Sequence, residues 1–288
     1  MKKTFWDRTA KIYDRFMRNA ERRNIMKPNY KNWVPKVLIA GMAAATAVSL
    51  MALILFGILG LWVTQTWRII LAIVFAVAAI GCGKTLHWSI TAYSAFSYDG
   101  KRQLSRQIVE GTAGCVTLPE GGVGLDVGCG SGALTIACAK RNPQGRMVGV
   151  DRWGKDYAEF SLPLCQKNAK AEGVSNADFQ KGDATKLPFA DESFDAVTSN
   201  YVYHNVSGVD KQELLLETLR VLKKGGTFAI HDLMGKNRYG DMEAFCRKLK
   251  EMGYADVRMI DTTGGIFMSK REAKRLMLQG STLLVGRK

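Results

Sequence analysis

The sequence predicts an α/β domain built on a mainly parallel sheet, preceded by two apolar helices long enough to cross a membrane. Three observations carry this expectation. VGLDVGCGSGALTIACAK, residues 123–140, reads as a strand, a glycine turn and a helix. From there to the C-terminus strand-like and helix-like segments alternate, which implies parallel strands with helices on both faces. Residues 37–63 contain no charged side chain, and about 20 apolar residues suffice to cross ~30 Å of hydrocarbon as a helix.

The chain opens on a basic segment. Its 288 residues carry a formal net charge of +15, and residues 1–36 hold eleven Lys and Arg against three acids. More than half of the excess therefore lies at the N-terminus, which argues against a nucleic-acid face spread over the main domain. Within residues 4–24, Ile12, Tyr13, Phe16 and Met17 share one face at helical spacing, and basic residues fill the other. Such a helix suits a membrane surface, a partner groove or the flank of its own domain.

The apolar region follows. After residues 37–63 comes a short TQTWR turn, and residues 69–83 form a second charge-free run. Lys84 can snorkel, and TLHWSITAYSAF extends the run with Trp88 and Tyr93, residue types suited to the interface. Spans are expected at about 37–63 and 67–90. The chain then divides into a basic segment (1–36), a transmembrane hairpin (37–96) and a domain (97–288). Eleven basic residues precede the first span, Arg68 alone sits in the turn, and Lys101, Arg102 and Arg106 follow the second. The positive-inside rule places both termini and the domain in the cytoplasm of a multi-pass protein of the cell membrane. Gly83-Lys84-Thr85 ends like a phosphate loop, but the required first glycine falls on Ala78.

Six cysteines show no CxxC spacing, and His87, His204 and His231 are too scattered for a zinc pattern. Reduced thiols and no metal site are the expectation.

In the domain, a helix is expected over 101–113 and the first strand over 123–127. Strands follow at 147–150, 177–180, 195–199, 226–231, 256–260 and 281–286, with helices at 155–172, 210–222, 241–252 and 269–278. The last two strands are joined without a long crossover, so the final strand is expected to run antiparallel. The glycine turn has two readings. Gly128-x-Gly130-x-x-Ala133, with Asp151 further on, satisfies a loose dinucleotide fingerprint. The same letters give Asp126-x-Gly128-x-Gly130-x-Gly132.

That second pattern resembles the first motif of class I S-adenosylmethionine (SAM) methyltransferases. Four further stretches agree with it in order and spacing. Met147-Val-Gly-Val-Asp151 ends a strand on an acid, with Arg152 beside it, and Lys181-Gly-Asp183-Ala184 follows the third strand. Phe194 to Tyr201, with Asn200, forms the fourth strand, and Leu219 to Gly226 resembles the turn before the fifth. The resemblance covers about residues 98–288 and is nearest the quinone, sterol and small-molecule type. FWDRTAKIYDRFM also looks like the first helix of quinone-type members, where such a segment covers the cofactor. The resemblance implies a Rossmann-like seven-stranded methyltransferase sheet and SAM as cofactor. It implies Asp126 and Gly128, Gly130 and Gly132 toward the methionine part, Asp151 and Arg152 at the ribose, Asp183 and Ala184 at the adenine, and Asn200 beside the cofactor. No tyrosine is followed four residues later by lysine, which counts against a short-chain dehydrogenase.

Ligands of an open parallel sheet sit at the carboxyl ends of its strands. His204 and His231 both fall on that rim, and an imidazole is suited to take a proton from a phenol or hydroxyl. They are the candidate catalytic residues; the competing reading is a loop cap for His204 and packing beside the fourth strand for His231. Trp153, Tyr201, Tyr203 and Tyr98 are candidates to line the site. Three functions remain open: a membrane-anchored methyltransferase on a lipophilic acceptor, one on a soluble metabolite with the hairpin as tether, and a SAM-binding protein without turnover.

Overall fold

The computed structural model describes residues 27–154 and 159–288; the amphipathic stretch expected at 4–24 lies outside them. Helix α1 (Lys36–Ala52) runs into a π-helical segment (Leu53–Ile58), and α2 (Gln65–Phe96) returns alongside it. A Cβ added to Gly57 would meet the Ala72 backbone at 2.9 Å, so this glycine permits the close approach of the two helices. The Phe56 and Phe75 rings pack 6.3 Å apart. The first helix stops at Ile58, short of the expected residue 63, because Gly60 and Trp62 take positive φ. Arg68 donates to Gly57 O at 2.9 Å and also meets Ile58 O. The one charge in the turn thus covers carbonyls that the helix end leaves unpaired.

Both helices are long and apolar enough to cross a membrane, and almost none of their apolar windows is buried. A core helix of a soluble domain would bury such a surface. α2 continues to Phe96, past the expected end near 90, because its last turns belong to the domain. Ala92, Ala95 and Phe96 pack with Leu104, Ile108, Leu233 and Leu276.

The domain begins with α3 (Leu104–Ala113) and β1 (Val123–Val127). It continues through α4 (Ala133–Arg141), β2 (Arg146–Asp151), α5 (Leu162–Ala171), β3 (Ala177–Lys181) and β4 (Phe194–Asn200). Then come α6 (Lys211–Arg220), β5 (Leu222–Leu233), α7 (Lys236–Tyr239), α8 (Met242–Glu251), β6 (Ala255–Asp261), α9 (Lys270–Arg275) and β7 (Ser281–Arg287). The seven strands lie in the order β3-β2-β1-β4-β5-β7-β6. β1 to β5 are parallel, and β7 inserts antiparallel between β5 and β6, the direction expected of the final strand.

Strand periodicity sorts the core. Leu125, Val127, Val148, Val150, Val197 and Ile230 pack on one face with Leu215 and Leu219 of α6 and Phe245 of α8. Met147, Ala196 and Ala229 face Val109 of α3 and Leu134 and Ala137 of α4 on the other. Two expected boundaries move for local reasons. The helix expected at 155–172 is described from Leu162, where Ser161 Oγ accepts the Leu164 amide and Pro163 stands in the first turn; residues 155–158 lie outside the described chain. The turn expected over Leu219–Gly226 is complete by Val221, and its remainder is a bulge within β5: the pairing slips between Phe194 and Ala196, and Gly225 takes φ +80.

Candidate active site

The strand order reverses between β1 and β4, which makes the carboxyl ends of these strands the place for a ligand. The turn after β1 is held from below, where the Gly128 and Cys129 amides donate to Val150 O at 2.8 and 3.1 Å. Its three glycines all take positive φ, but for different neighbours. A side chain at Gly128 would drive into Val202, and one at Gly132 would meet Phe179 at 2.9 Å. At Gly130 the nearest atoms are those of Phe160, 3.8 Å away. Gly128 and Gly132 are therefore needed for packing, and Gly130 leaves room above the turn. α4 begins at Ala133 with no side-chain cap over its first amides, a cradle suited to a carboxylate.

Asp151, at the end of β2, ties this turn to the next strand. Its Oδ2 accepts the Gly130 amide at 2.9 Å and its Oδ1 the Trp153 amide at 2.7 Å. Each oxygen keeps a lone pair for a ribose hydroxyl. Trp153, at φ +44, returns a hydrogen bond from Nε1 to Gly130 O at 2.9 Å. Asp183 Oδ1 accepts the Thr185 amide and hydroxyl at 2.8 and 2.7 Å. These bonds, with the charge of exposed Arg152 as the smaller cause, hold the carboxyl below its ordinary range. Ala184 is half-buried beside it.

Asp126 differs from the other acids. It is 1% exposed, and its oxygens accept the Thr135 hydroxyl at 2.6 Å and the Thr198 hydroxyl at 3.0 Å. Burial pushes its carboxyl up to about 7, against the downward pull of those hydroxyls. It braces β1, α4 and β4 beneath the turn, so any influence on a ligand passes through the turn. Even so, the open space over Gly130, the uncapped helix start and the two rim acids fit SAM.

The structure divides the two histidines. His231 is fully buried; Nδ1 lies 2.9 Å from Asn200 Oδ1, and Nε2 lies 3.0 Å from Thr262 Oγ1. Burial lowers its pKa to about 4, although Asp232 pulls the other way. Both ring nitrogens are engaged and the ring is held neutral, so it packs against β4 instead of facing a substrate. Asn200 is its cross-strand partner, occupied by that bond. His204 stands on a 3-10 turn (Tyr203–Asn205) that follows β4. Its Nδ1 is paired with Asp232 Oδ1, and its side chain is 16% exposed. Asp232 Oδ2 accepts the amides of Tyr203 and His204 at 2.8 and 3.2 Å, and Oδ1 accepts the Leu233 amide at 2.6 Å. Burial alone would raise the Asp232 carboxyl, but the His204 hydrogen bond and charge outweigh it and hold the group below the usual range. An imidazole held at Nδ1 by a buried carboxylate offers Nε2 as a base.

Sequence reasoning missed Asp232 and the strap before α1, and it named Tyr201 only as a lining residue. Tyr201 sits at φ +53, with its hydroxyl 2.5 Å from Ser281 Oγ and its ring 4.7 Å from that of His231. A non-glycine residue in this conformation needs firm neighbours, and such sites cluster where function is. Trp33 packs edge-on to Tyr201 at 5.2 Å. Tyr30 O accepts the hydroxyl of Ser131 in the glycine turn at 3.0 Å, and Tyr30 packs 4.5 Å from Tyr98. Tyr203, a candidate lining residue, is instead wholly buried with its hydroxyl 2.5 Å from Thr218 Oγ1. Among the described residues, no group of three His, Cys, Asp or Glu side chains is placed to hold a metal.

A family profile described as a methyltransferase domain matches residues 119–278, more than half of the chain. The demethylmenaquinone methyltransferase of Lactobacillus johnsonii is 30% identical over 170 residues, which cover 55% of this chain and 67% of the relative. The 2-phytyl-1,4-naphtoquinone methyltransferase of Thermosynechococcus vestitus is 37% identical over 116 residues, 40% of this chain and 48% of the relative. The chain spans about half the length of most curated relatives it matches. Among solved structures, geranyl diphosphate C-methyltransferase from Streptomyces coelicolor aligns at a TM-score of 0.50 and 14% identity, over 68% of this chain and 83% of that one, a likeness of fold.

Proposed function

Because the chain belongs to the class I SAM-dependent methyltransferase family, we propose that it methylates a lipophilic, quinone-type acceptor at the surface of a membrane spanned by α1 and α2. Two of its curated relatives are named for quinone substrates, and the helix that would cross the membrane ends on the catalytic rim. The chain is read as a basic segment to residue 36, a hairpin to 96 and a catalytic domain from 97, with the domain on the cytoplasmic side.

When bound, SAM supplies an activated methyl group on its sulfonium. In the proposed site, Asp151 receives the ribose hydroxyls and Asp183 the adenine amino group, with Arg152 and Ala184 flanking them. The amides from Gly128 to Gly132 and the start of α4 receive the methionine carboxylate. His204 Nε2 would take the proton from the acceptor hydroxyl as the acceptor gains the methyl group, the S–CH3 bond breaks and the sulfonium leaves as a neutral thioether; Asp232 would stabilise the resulting imidazolium. Tyr201 and Trp33 provide apolar walls beside it. His231, Asn200 and Asp126 hold the rim in shape.

The His204–Asp232 pair, on the rim beside the switch point, with neighbouring Leu233 packed on Phe96 at the end of α2, carries this reading. Its test is the full chain in liposomes given a hydroquinone with a long prenyl tail and the same ring without the tail. Faster transfer to the tailed ring is expected. Equal rates, or transfer to the free ring alone, would leave the membrane without a part in substrate delivery.

A further inference from the structure

α9 reads KREAKR, four cations and one acid in six residues. It lies against the last turns of α2. Ala273 and Leu276 pack with Ala92, Ala95 and Phe96, and Trp88 Nε1 donates to Arg275 O at 3.0 Å. Between the two helices runs a cleft of about 600 Å³, whose lining includes Ile90, Ser94, Arg102, Arg271, Glu272 and Arg275.

The arginines are not equivalent. Arg102 is matched by Glu272, which it grips at 2.7 and 2.9 Å, and it also donates to Phe267 O at 2.6 Å. Among the described residues, exposed Arg271 and Arg275 have no carboxylate partner. Alone, these would be an ordinary solvated face. Two apolar side chains say otherwise. Ile266 and Met277 flank α9 and are 58% and 66% exposed. Among the described residues beyond α2, Met252 is the only other large hydrophobic so exposed. Cations joined to exposed apolar side chains match a lipid interface, where chains meet anionic headgroups.

The depth agrees. A 32-residue helix is about 48 Å long, well beyond ~30 Å of hydrocarbon. The part of α2 after Lys84 therefore projects past the apolar layer, and Trp88, a residue favoured at interfaces, is the one bonded to α9.

We propose that α9, with Ile266 and Met277, is the catalytic domain's contact with the headgroup layer, and that Arg271 and Arg275 take the phosphate of an anionic phospholipid in the cleft beside α2. The inference rests on the reading of α1 and α2 as spans. Guanidinium forks suit phosphate oxygens. The contact also reaches the active site. Phe267, next to Ile266, packs edge-on to His231 at 5.5 Å, and Thr262 at the start of the same loop bonds that ring. Docking α9 would hold the rim against the bilayer.

The test uses the detergent-solubilised full chain titrated with dioctanoyl phosphatidylglycerol, with dioctanoyl phosphatidylcholine and inorganic phosphate as parallel probes. Saturable binding of the phosphatidylglycerol is expected, at least tenfold weaker in the double variant Arg271→Gln, Arg275→Gln. Equal affinity in wild type and variant overturns the proposal, as does equal affinity for phosphatidylcholine. Displacement by inorganic phosphate at matching concentration would mark a free-anion site and overturn the lipid assignment. SAM affinity is measured on the same samples, and resistance of the chain to carbonate extraction on the membranes from which it was solubilised. Absence of lipid binding with both intact is a failure of this inference alone; loss of either points to the proposed function.

Discussion

His204 Nδ1 lies 2.5 Å from Asp232 Oδ1, on a carboxylate that also receives the amides of Tyr203, His204 and Leu233. The pair joins the turn after β4 to the end of β5. It fixes one ring nitrogen inward and, in the proposed mechanism, leaves the other for the acceptor. His204→Gln is expected to lower kcat by about 10²- to 10⁴-fold, the usual contribution of a positioned base. SAM affinity should change little. Steady-state kinetics beside calorimetry checks this; a variant with unchanged kcat removes His204 from the chemistry.

Asp151 joins the glycine turn to β2 through Gly130 and Trp153. Asp151→Ala removes the proposed ribose acceptor and frees two backbone amides. SAM binding should weaken by roughly 1–3 kcal/mol, about 5- to 150-fold. A variant that binds SAM as tightly as wild type would place the ribose elsewhere.

How much of this was legible beforehand depends on range along the chain. The glycine turn, the rim acids and the alternation of strands and helices follow from local patterns. Strand alternation gave His231 and Asp232 opposite faces of β5, yet nothing local says which face holds the catalytic partner. His231 is enclosed, with Thr262 and Asn200 meeting it from two other strands' ends, and that burial keeps it neutral. The strap at Tyr30 and Trp33 reaches the site from a hundred residues away, and no periodicity announces such a contact. The end of α1 moved because two residues near 60 turn left-handed, which an unbroken apolar run conceals.

Asp126 makes a prediction about pH. Its folded pKa is about 7 against an ordinary 3.8. A raised carboxyl contributes stability below about pH 4, and that contribution is lost as pH rises through 7. Asp126→Asn does not titrate. Its stability relative to wild type should therefore rise by roughly 3 kcal/mol between about pH 5 and pH 8. His231 titrates in the opposite sense but is common to both proteins. Thermal unfolding across that window is the measurement, and a pH-independent difference would mean that the buried carboxyl is not raised.

The hairpin makes a prediction about topology. Reporters inserted at residue 61, in the break between Ile58 and Gln65, and at the C-terminus should give opposite answers. Matching answers would rule out a two-span hairpin, with both ends inside.

The most direct test of the account gives the full chain radiolabelled SAM with total membrane lipid extract and, in parallel, with cytosolic extract. The label is expected in a chloroform-soluble, quinone-like product, and it should disappear with His204→Gln while SAM binding persists. Label confined to a water-soluble metabolite, or bound SAM with no transfer in either extract, would contradict it.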